Sequence, residues 1–344
     1  MNRVLGVGFR KWCMSVALAG AGLYTTGASA QTVTLKFSSF EPPQATFTAK
    51  AFATWADDVS KASNGTLKIE IFAGGTLGRN PLQQFKLVQD GVADLAWIVA
   101  GYTPGRFDDT EVVELPFIVT GATEGGLALT RMLAKDQLVG FADLKPVLLA
   151  NVPPVTLHGR FPIKSLADLK GKRLRTGSPI GGKIAEAMGA VPVLLGAPQT
   201  AEAIAKGVVD GTMAEWNFVQ TFKIDEVIQN HMQVTLGGTA IMVAMLKKRY
   251  ESLPPAARAA IDKYSGEAFA RRFGNLADGL QISVPEAIVK RGGKNVIVRP
   301  DKAVEDEFRK AVSSVATEWR AAKPRNERVY QAFVAELAQV RAGK

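Results

Sequence analysis

LKIEIFAGGTLGRNPLQQFKLVQDGVADLAWIV, residues 67–99, is the stretch on which the fold turns. Leu67, Ile69 and Ile71 alternate with Lys68 and Glu70, the period of two that a half-buried strand requires. Pro81 then opens a helix carried by Leu82, Phe85 and Val88 and stopped at Gly91, and from Ala93 to Val99 the chain is apolar after Asp94, as in a strand buried on both faces. Upstream, Thr34–Phe37 reads as another strand. Phe47, Ala51, Trp55 and Val59 recur every fourth residue on a helix that Asn64-Gly65 ends. The order β-α-β-α-β predicts a parallel sheet with helices on its faces, and such sheets bind ligands beyond the carboxyl ends of their strands.

A second unit of the same kind begins near Pro153-Pro154. Leu166–Gly171 reads as a helical turn, Lys172–Thr176 and Val191–Leu195 as strands, and Lys183–Met188 and Ala201–Lys206 as helices. Tyr250 to about Phe273, broken at Pro254-Pro255, is helical, and Leu276–Lys290 continues in that style. Val304, Phe308, Val312, Val315 and Trp319 place one apolar face on a single C-terminal helix packed across one domain. The expected layout is a two-lobed α/β protein: residues 31–152 plus about 240–280 in lobe I, and 153–239 plus about 281–344 in lobe II. Asn151–Pro154 and Gly237–Ala244 are the expected hinge segments.

The N-terminus carries Arg3, Arg10 and Lys11 before an apolar stretch from about Met14 to Leu23, and Ala28-Ser29-Ala30 offers a cleavage pattern, so residues 1–30 read as a secretory signal peptide. The single cysteine, Cys13, lies inside it, which leaves the secreted chain without disulfides, Cys-ligated metal or a thiol nucleophile. Removing three of the 42 basic residues leaves 39 against 32 acids, so the net charge falls from +10 to +7. Basic and acidic residues are interspersed, with no Lys/Arg-rich aromatic face for nucleic acid, and the residual positive field suits anionic small molecules.

The motif that looks most like a catalytic signature fails on chemistry. Gly177–Lys183 spells G-x-x-x-x-G-K, but a phosphate loop needs Ser or Thr next to hold Mg²⁺, and the chain has Ile184. There is no G-x-S-x-G elbow, and His158 and His231 are too far apart in sequence to suggest a metal pair. No cofactor and no metal are expected.

Eight blocks in order resemble a known family: Asn64–Phe72, Leu77-Gly78, Gln89–Asp94, Glu114-Leu-Pro-Phe117, Ile163–Gly171, Lys172–Arg175, Met188–Pro192 and Lys206–Gly211. Together they are similar to the DctP-type solute receptors of tripartite ATP-independent periplasmic (TRAP) transporters. The resemblance implies two α/β lobes, a long helix bracing both, a periplasmic location, and delivery of an organic acid to small and large membrane subunits driven by a sodium gradient. The receptor is expected to act as a monomer and not as an enzyme. A sensor serving a signalling partner, or a secreted hydrolase or lyase, are the alternatives, and genomic neighbours or turnover of candidate acids would separate them.

Arg175 matches the family's carboxylate-binding arginine. A guanidinium is always charged and presents a rigid fork that fits both carboxylate oxygens. Ser178 and Pro179 look like N-cap and first residue of the following helix, whose free amides would lie near the same anion. Phe40, Val99 and Tyr102 stand where relatives with sugar acids tend to have polar side chains. Where many relatives have Glu-Asn-Pro after Val-Asp-Gly, this chain has Val209–Phe218 with Ala214, Glu215 and Trp216. These replacements imply an aromatic or bulky apolar monocarboxylate as ligand. Glu215 is read as a partner for a ligand hydroxyl or a neighbouring arginine, and His158 as a further candidate contact.

Overall fold

The structure, a computed structural model, describes residues 32–344; the signal-peptide reading of residues 1–30 lies outside them. The first lobe starts β1 (Val33–Ser38), α1 (Ala53–Ala62), β2 (Leu67–Phe72), α2 (Gln84–Gln89), β3 (Leu95–Val99), α3 (Ala122–Ala134) and β4 (Leu144–Val152). A crossing at 153–155 leads into the second lobe: β5 (Thr156–Gly159), β6 (Arg173–Thr176), α4 (Pro179–Ala187), β7 (Val191–Leu194), α5 (Thr200–Ala205), β8 (Gly211–Ala214), α6 (Trp216–Thr221) and β9 (Asn230–Met232). The chain then returns through β10 (Thr239–Leu246), α7 (Lys247–Glu251), α8 (Pro255–Tyr264), α9 (Glu267–Arg291), β11 (Val296–Val298), α10 (Lys302–Ala311), α11 (Ser313–Ala322) and α12 (Pro324–Arg341).

Two sheets result, ordered β2-β1-β3-β10-β4 and β11-β9-β5-β8-β6-β7. The parallel β2-β1-β3 pairing is the one that the alternation of strand and helix predicts, with Leu35 opposite Ile69 and Phe37 opposite Leu95. The first sheet is nonetheless mixed. β10 inserts antiparallel between β3 and β4, setting Ile241 against both Val99 and Ala150. Its run Ala240–Met245 is buried throughout, the mark of a central strand. Much of the expected hinge at Gly237–Ala244 is therefore sheet interior, and the free crossing shrinks to 233–238.

The two crossings pair with each other. Val155 N–H donates to the Gly237 carbonyl at 3.0 Å, and Leu236 N–H to that of Val155 at 3.1 Å. Gly237 lies against the main chain of Glu114, where a Cβ would stand 1.7 Å from the carbonyl oxygen.

The expected brace is one 25-residue helix, α9, with Pro285 inside it. At 1.5 Å per residue it spans about 38 Å, enough to reach both lobes. Its Asp278 accepts from the Ala122 and Thr123 amides at 2.6 and 3.0 Å, capping α3, whose own N-cap is a glycine. One turn on, Gln281 donates to the Pro154 carbonyl at 2.9 Å and accepts from Trp216 N–H at 3.1 Å, tying crossing and second lobe to the same helix.

The C-terminus departs from the expected single helix. α10 and α11 break at Val312, and α12 follows. α11 packs on α4 of the second lobe, whereas α12 lies on α3 and on the 108–114 turn of the first. Arg325 holds Asp109 at 2.6 Å and Arg341 holds Glu124 at 2.8 Å. Residues 281–344 thus do not all belong to lobe II, because the apolar face of α12 finds its partner on α3. Among the described residues no helix is long and apolar enough to cross a membrane.

Gly237→Ala drives a methyl group into the Glu114 carbonyl and is expected to destabilise the fold by about 3 kcal/mol. Gly279→Ala, inside α9 with open space at its Cβ position, should stabilise by about 0.5–1 kcal/mol. Urea denaturation of the two variants checks both signs; equal midpoints would refute the steric account of the crossing.

Candidate ligand-binding site

β6 carries Arg175 in the parallel part of the second sheet, with Val193 of β7 and Thr212 of β8 as its register partners. Arg173, two residues earlier and exposed, makes an ion pair with Asp210 at 2.7 Å, and Arg160 donates to the Ile204 carbonyl. Arg175 differs from both. It is 4 % exposed, and among the described residues no carboxylate lies within ion-pair distance. Its Nε donates to the Leu195 carbonyl at 3.0 Å and one Nη to the Tyr102 hydroxyl at 2.8 Å, while Phe218 offers its ring 4.7 Å from the guanidinium carbon. A guanidinium has five N–H groups, so most of the fork is left for a guest. Gly177 makes the room: a Cβ there would come within 3.4 Å of both terminal nitrogens.

The helix after the arginine starts as its sequence suggests. Ser178 accepts from Gly181 N–H at 3.0 Å, and Pro179 occupies the first turn. Gly101 of the first lobe touches this cap, where a Cβ would approach that of Ser178 to 2.5 Å.

Between the lobes lies a cleft with about 720 Å³ of space free of protein atoms, the solvent at its open mouth included. Its walls contain Phe40, Val99, Tyr102, Arg175, Ala214 and Glu215. Phe40 stacks on Trp97, centroids 4.6 Å apart at 17°, so one wall is an aromatic plane; Phe218 and Phe222 supply another. Tyr102 reaches from the first lobe to accept from both Arg175 and Ala197 N–H, the latter at 3.1 Å.

Trp216 and His158 require correction. Neither lines the cleft. Trp216 is fully buried and meets His158 edge-on, with ring centroids 5.0 Å apart. His158 bonds His231, Nδ1 to Nδ1 at 2.8 Å, and its Nε2 meets the Ala214 carbonyl at 3.1 Å. Burial and the neighbouring imidazole hold His158 well below its ordinary range, hence neutral. These rings form the floor beneath Ala214, because the chain turns inward where α6 begins.

Sequence reasoning also missed two wall carboxyls, Glu41 and Glu114. Glu41 follows Phe40 just past β1, and burial, with the Glu215 carboxyl adding to it, pushes its pKa well above the usual range. Glu114, in the Glu-Leu-Pro-Phe block, accepts from Ala240 N–H at 3.2 Å beside the Ser178 hydroxyl; burial lifts it to about 8. Glu215 caps α6 by accepting from Phe218 N–H at 3.0 Å, and burial lifts it to about 7 against the pull of Arg175. The available signal was position, an acid directly after a strand or inside an apolar block.

Two α/β lobes that contribute jointly to one buried cation across a shared cleft are the architecture of a two-lobed solute-binding protein. Comparison with known proteins narrows the class. The chain belongs to the DctP family, bacterial extracellular solute-binding protein family 7, whose model matches residues 37–322. Among solved structures it resembles a TRAP solute-binding protein from an unidentified marine microbe, specific for aromatic acid ligands and holding 3-hydroxybenzoate. The two are 31 % identical over 90 % of this chain and 98 % of that one, with a TM-score of 0.84. A TRAP solute-binding protein of Rhodoferax ferrireducens with copurified benzoate is 30 % identical over 91 % of this chain and all of its own, TM-score 0.85. The C4-dicarboxylate-binding periplasmic protein DctP of Rhodobacter capsulatus is 26 % identical, covering 78 % of this chain and 79 % of its own.

The buried carboxyls set a pH dependence. Glu114 and Glu215 have folded pKa values above the ordinary 4.5, so their contribution to stability is complete below 4.5 and is lost as pH rises through about 7 and 8. His158 and His231, held below 6.5, act oppositely, but their contribution is constant above 6.5. The wild-type melting temperature is expected to fall between pH 6.5 and 8.5, and Glu114→Gln should flatten that slope. An unchanged slope in the variant would show that Glu114 ionises freely.

Proposed function

We propose that this chain is the periplasmic receptor of a TRAP transporter, binding an organic monocarboxylate with an aromatic or bulky apolar body and handing it to small and large membrane subunits. It binds and releases its solute without converting it. The observation that carries this reading is Arg175, a buried cation in the cleft wall with no acid within ion-pair distance among the described residues. A carboxylate supplies the missing charge and accepts from the free edge of the fork. The remainder of a ring-shaped ligand buries apolar area at about 25 cal/mol per Å² and stacks on aromatic walls for about 0.5–1.5 kcal/mol more. A sugar acid placed there loses its water without matching partners, at about 1–3 kcal/mol per unsatisfied group.

The two relatives with bound benzoate and 3-hydroxybenzoate support an aryl acid, as does a TRAP solute-binding protein of Bordetella bronchiseptica with bound mandelate, 25 % identical to this chain. The C4-dicarboxylate relative argues for a smaller diacid, but a second carboxylate in this cleft meets Glu41 and Glu215 instead of a second cation.

A thermal-shift screen of residues 31–344 is expected to return aryl monocarboxylates such as benzoate, hydroxybenzoates or mandelate as the strongest stabilisers. At a hundredfold excess over Kd the gain is about 2.7 kcal/mol. Succinate or glucuronate as the best ligand, with no shift from aryl acids, would overturn the assignment.

In calorimetry with the best ligand, Arg175→Ala should lose about 3–5 kcal/mol, or two to nearly four decades in Kd, and Arg175→Lys should also bind poorly. A loss below about threefold for the alanine variant would remove Arg175 from the carboxylate site.

A further inference from the structure

Arg175 accounts for one pole of the cleft. The wall also contains a polar group that a carboxylate on an apolar ring leaves unused. Glu41 and Glu215 are 2 % and 6 % exposed, and among the described residues neither has a cation within ion-pair distance. Burying acids without a cation is costly, and packing alone gives no reason to keep them. Glu215 has a structural duty, the cap of α6. Glu41 has a lesser one: Thr48 serves its carboxyl through the backbone and through Oγ1 at 3.5 Å, and that hydroxyl also faces Ser39 Oγ at 3.1 Å.

The carboxyl stands beside an aromatic plane, since Phe40, the residue before it, stacks on Trp97. Arg175 has its own partners, the Tyr102 hydroxyl and the Leu195 carbonyl.

The geometry points to Glu41 as the residue that reads a hydroxyl on the ligand's ring, which makes the solute a hydroxyaryl monocarboxylate; this rests on the aryl-acid reading of the cleft. A phenolic hydroxyl is donor and acceptor at once, so it can pair with the Glu41 carboxyl whether that group is charged or protonated. An unsubstituted ring leaves the carboxyl as it is. A second carboxylate finds no second cation in the cleft wall to replace its water, and the site disfavours it. Glu41 is in this sense a specificity residue, and Arg175 holds the common carboxylate.

The test is calorimetry at pH 7 with benzoate, 3-hydroxybenzoate, 4-hydroxybenzoate and isophthalate against wild type, Glu41→Leu, Glu41→Gln and Glu41→Met. At least one hydroxybenzoate should bind wild type about tenfold or more tightly than benzoate, the scale of a hydrogen bond to a charged or buried acid, and isophthalate more weakly than benzoate. Glu41→Leu should abolish the hydroxyl preference, read as the ratio of the hydroxybenzoate and benzoate Kd values within the one variant, and Glu41→Gln should retain most of it. Glu41→Met, which keeps the length of the side chain and removes both oxygens, should lose the same factor and decides the matter if the leucine variant does not fold. The inference is overturned if wild type shows no hydroxyl preference, if that preference survives intact in Glu41→Leu or Glu41→Met, or if isophthalate binds best. Benzoate binding without a hydroxyl gain overturns this inference alone. Failure of all the aryl monocarboxylates to bind overturns the aryl-acid reading with it.

Discussion

A guanidinium taken out of water and, among the described residues, given no acid within ion-pair distance is the constraint around which this protein is arranged. Desolvating a cation is expensive, and Arg175 recovers part of the cost from a carbonyl, a hydroxyl and an aromatic face. The hydroxyl belongs to the other lobe. Because Tyr102 comes from the first lobe and Arg175 from the second, the cation is best satisfied when the two lobes meet. The glycines at 101 and 177 follow from the same need, since side chains there would separate the lobes or crowd the fork.

The connections between lobes serve that meeting. The crossings are hydrogen-bonded to each other, so at this point the lobes are joined by a narrow two-stranded neck. α9 then fixes where the neck ends, through Asp278 on one side and Gln281 on the other. Glu114 sits where neck, first lobe and helix cap converge, and burial keeps its carboxyl protonated near neutrality. A neutral acid at that point adds hydrogen bonds without placing a second negative charge beside the incoming carboxylate.

What the sequence made legible was what period and residue chemistry encode locally. Alternation in Leu67–Ile71 and the apolar run to Val99 placed the parallel core of the first sheet, and Ser178-Pro179 placed the start of α4. An arginine just before glycines and a helix cap was readable as an anion site because so few residue types suit that role. Long-range facts were not legible. Nothing local in Thr239–Leu246 says that it enters the middle of a sheet begun two hundred residues earlier, and α12 meets α3 through surfaces far apart in sequence. Side-chain direction was the other loss. Ala214 and Glu215 face the cleft while Trp216 faces the floor, because the strand ends and the helix starts between them. Glu41 and Glu114 were hidden for a different reason: burial, which turns an ordinary acid into an unusual one, is a property of the folded chain.

The placement of β10 has a consequence for how the molecule comes into being. A chain that emerges from its N-terminus makes β3 and β4 first, yet the strand that belongs between them arrives only after all of residues 153–238. Until then the first lobe has two open strand edges and no means of closing its sheet, so it cannot mature as an independent unit. Contacts of such sequence separation are slow to form and leave hydrophobic edges exposed in the interval. The two lobes that wall a single cleft in the finished protein are, during folding, obliged to complete one another.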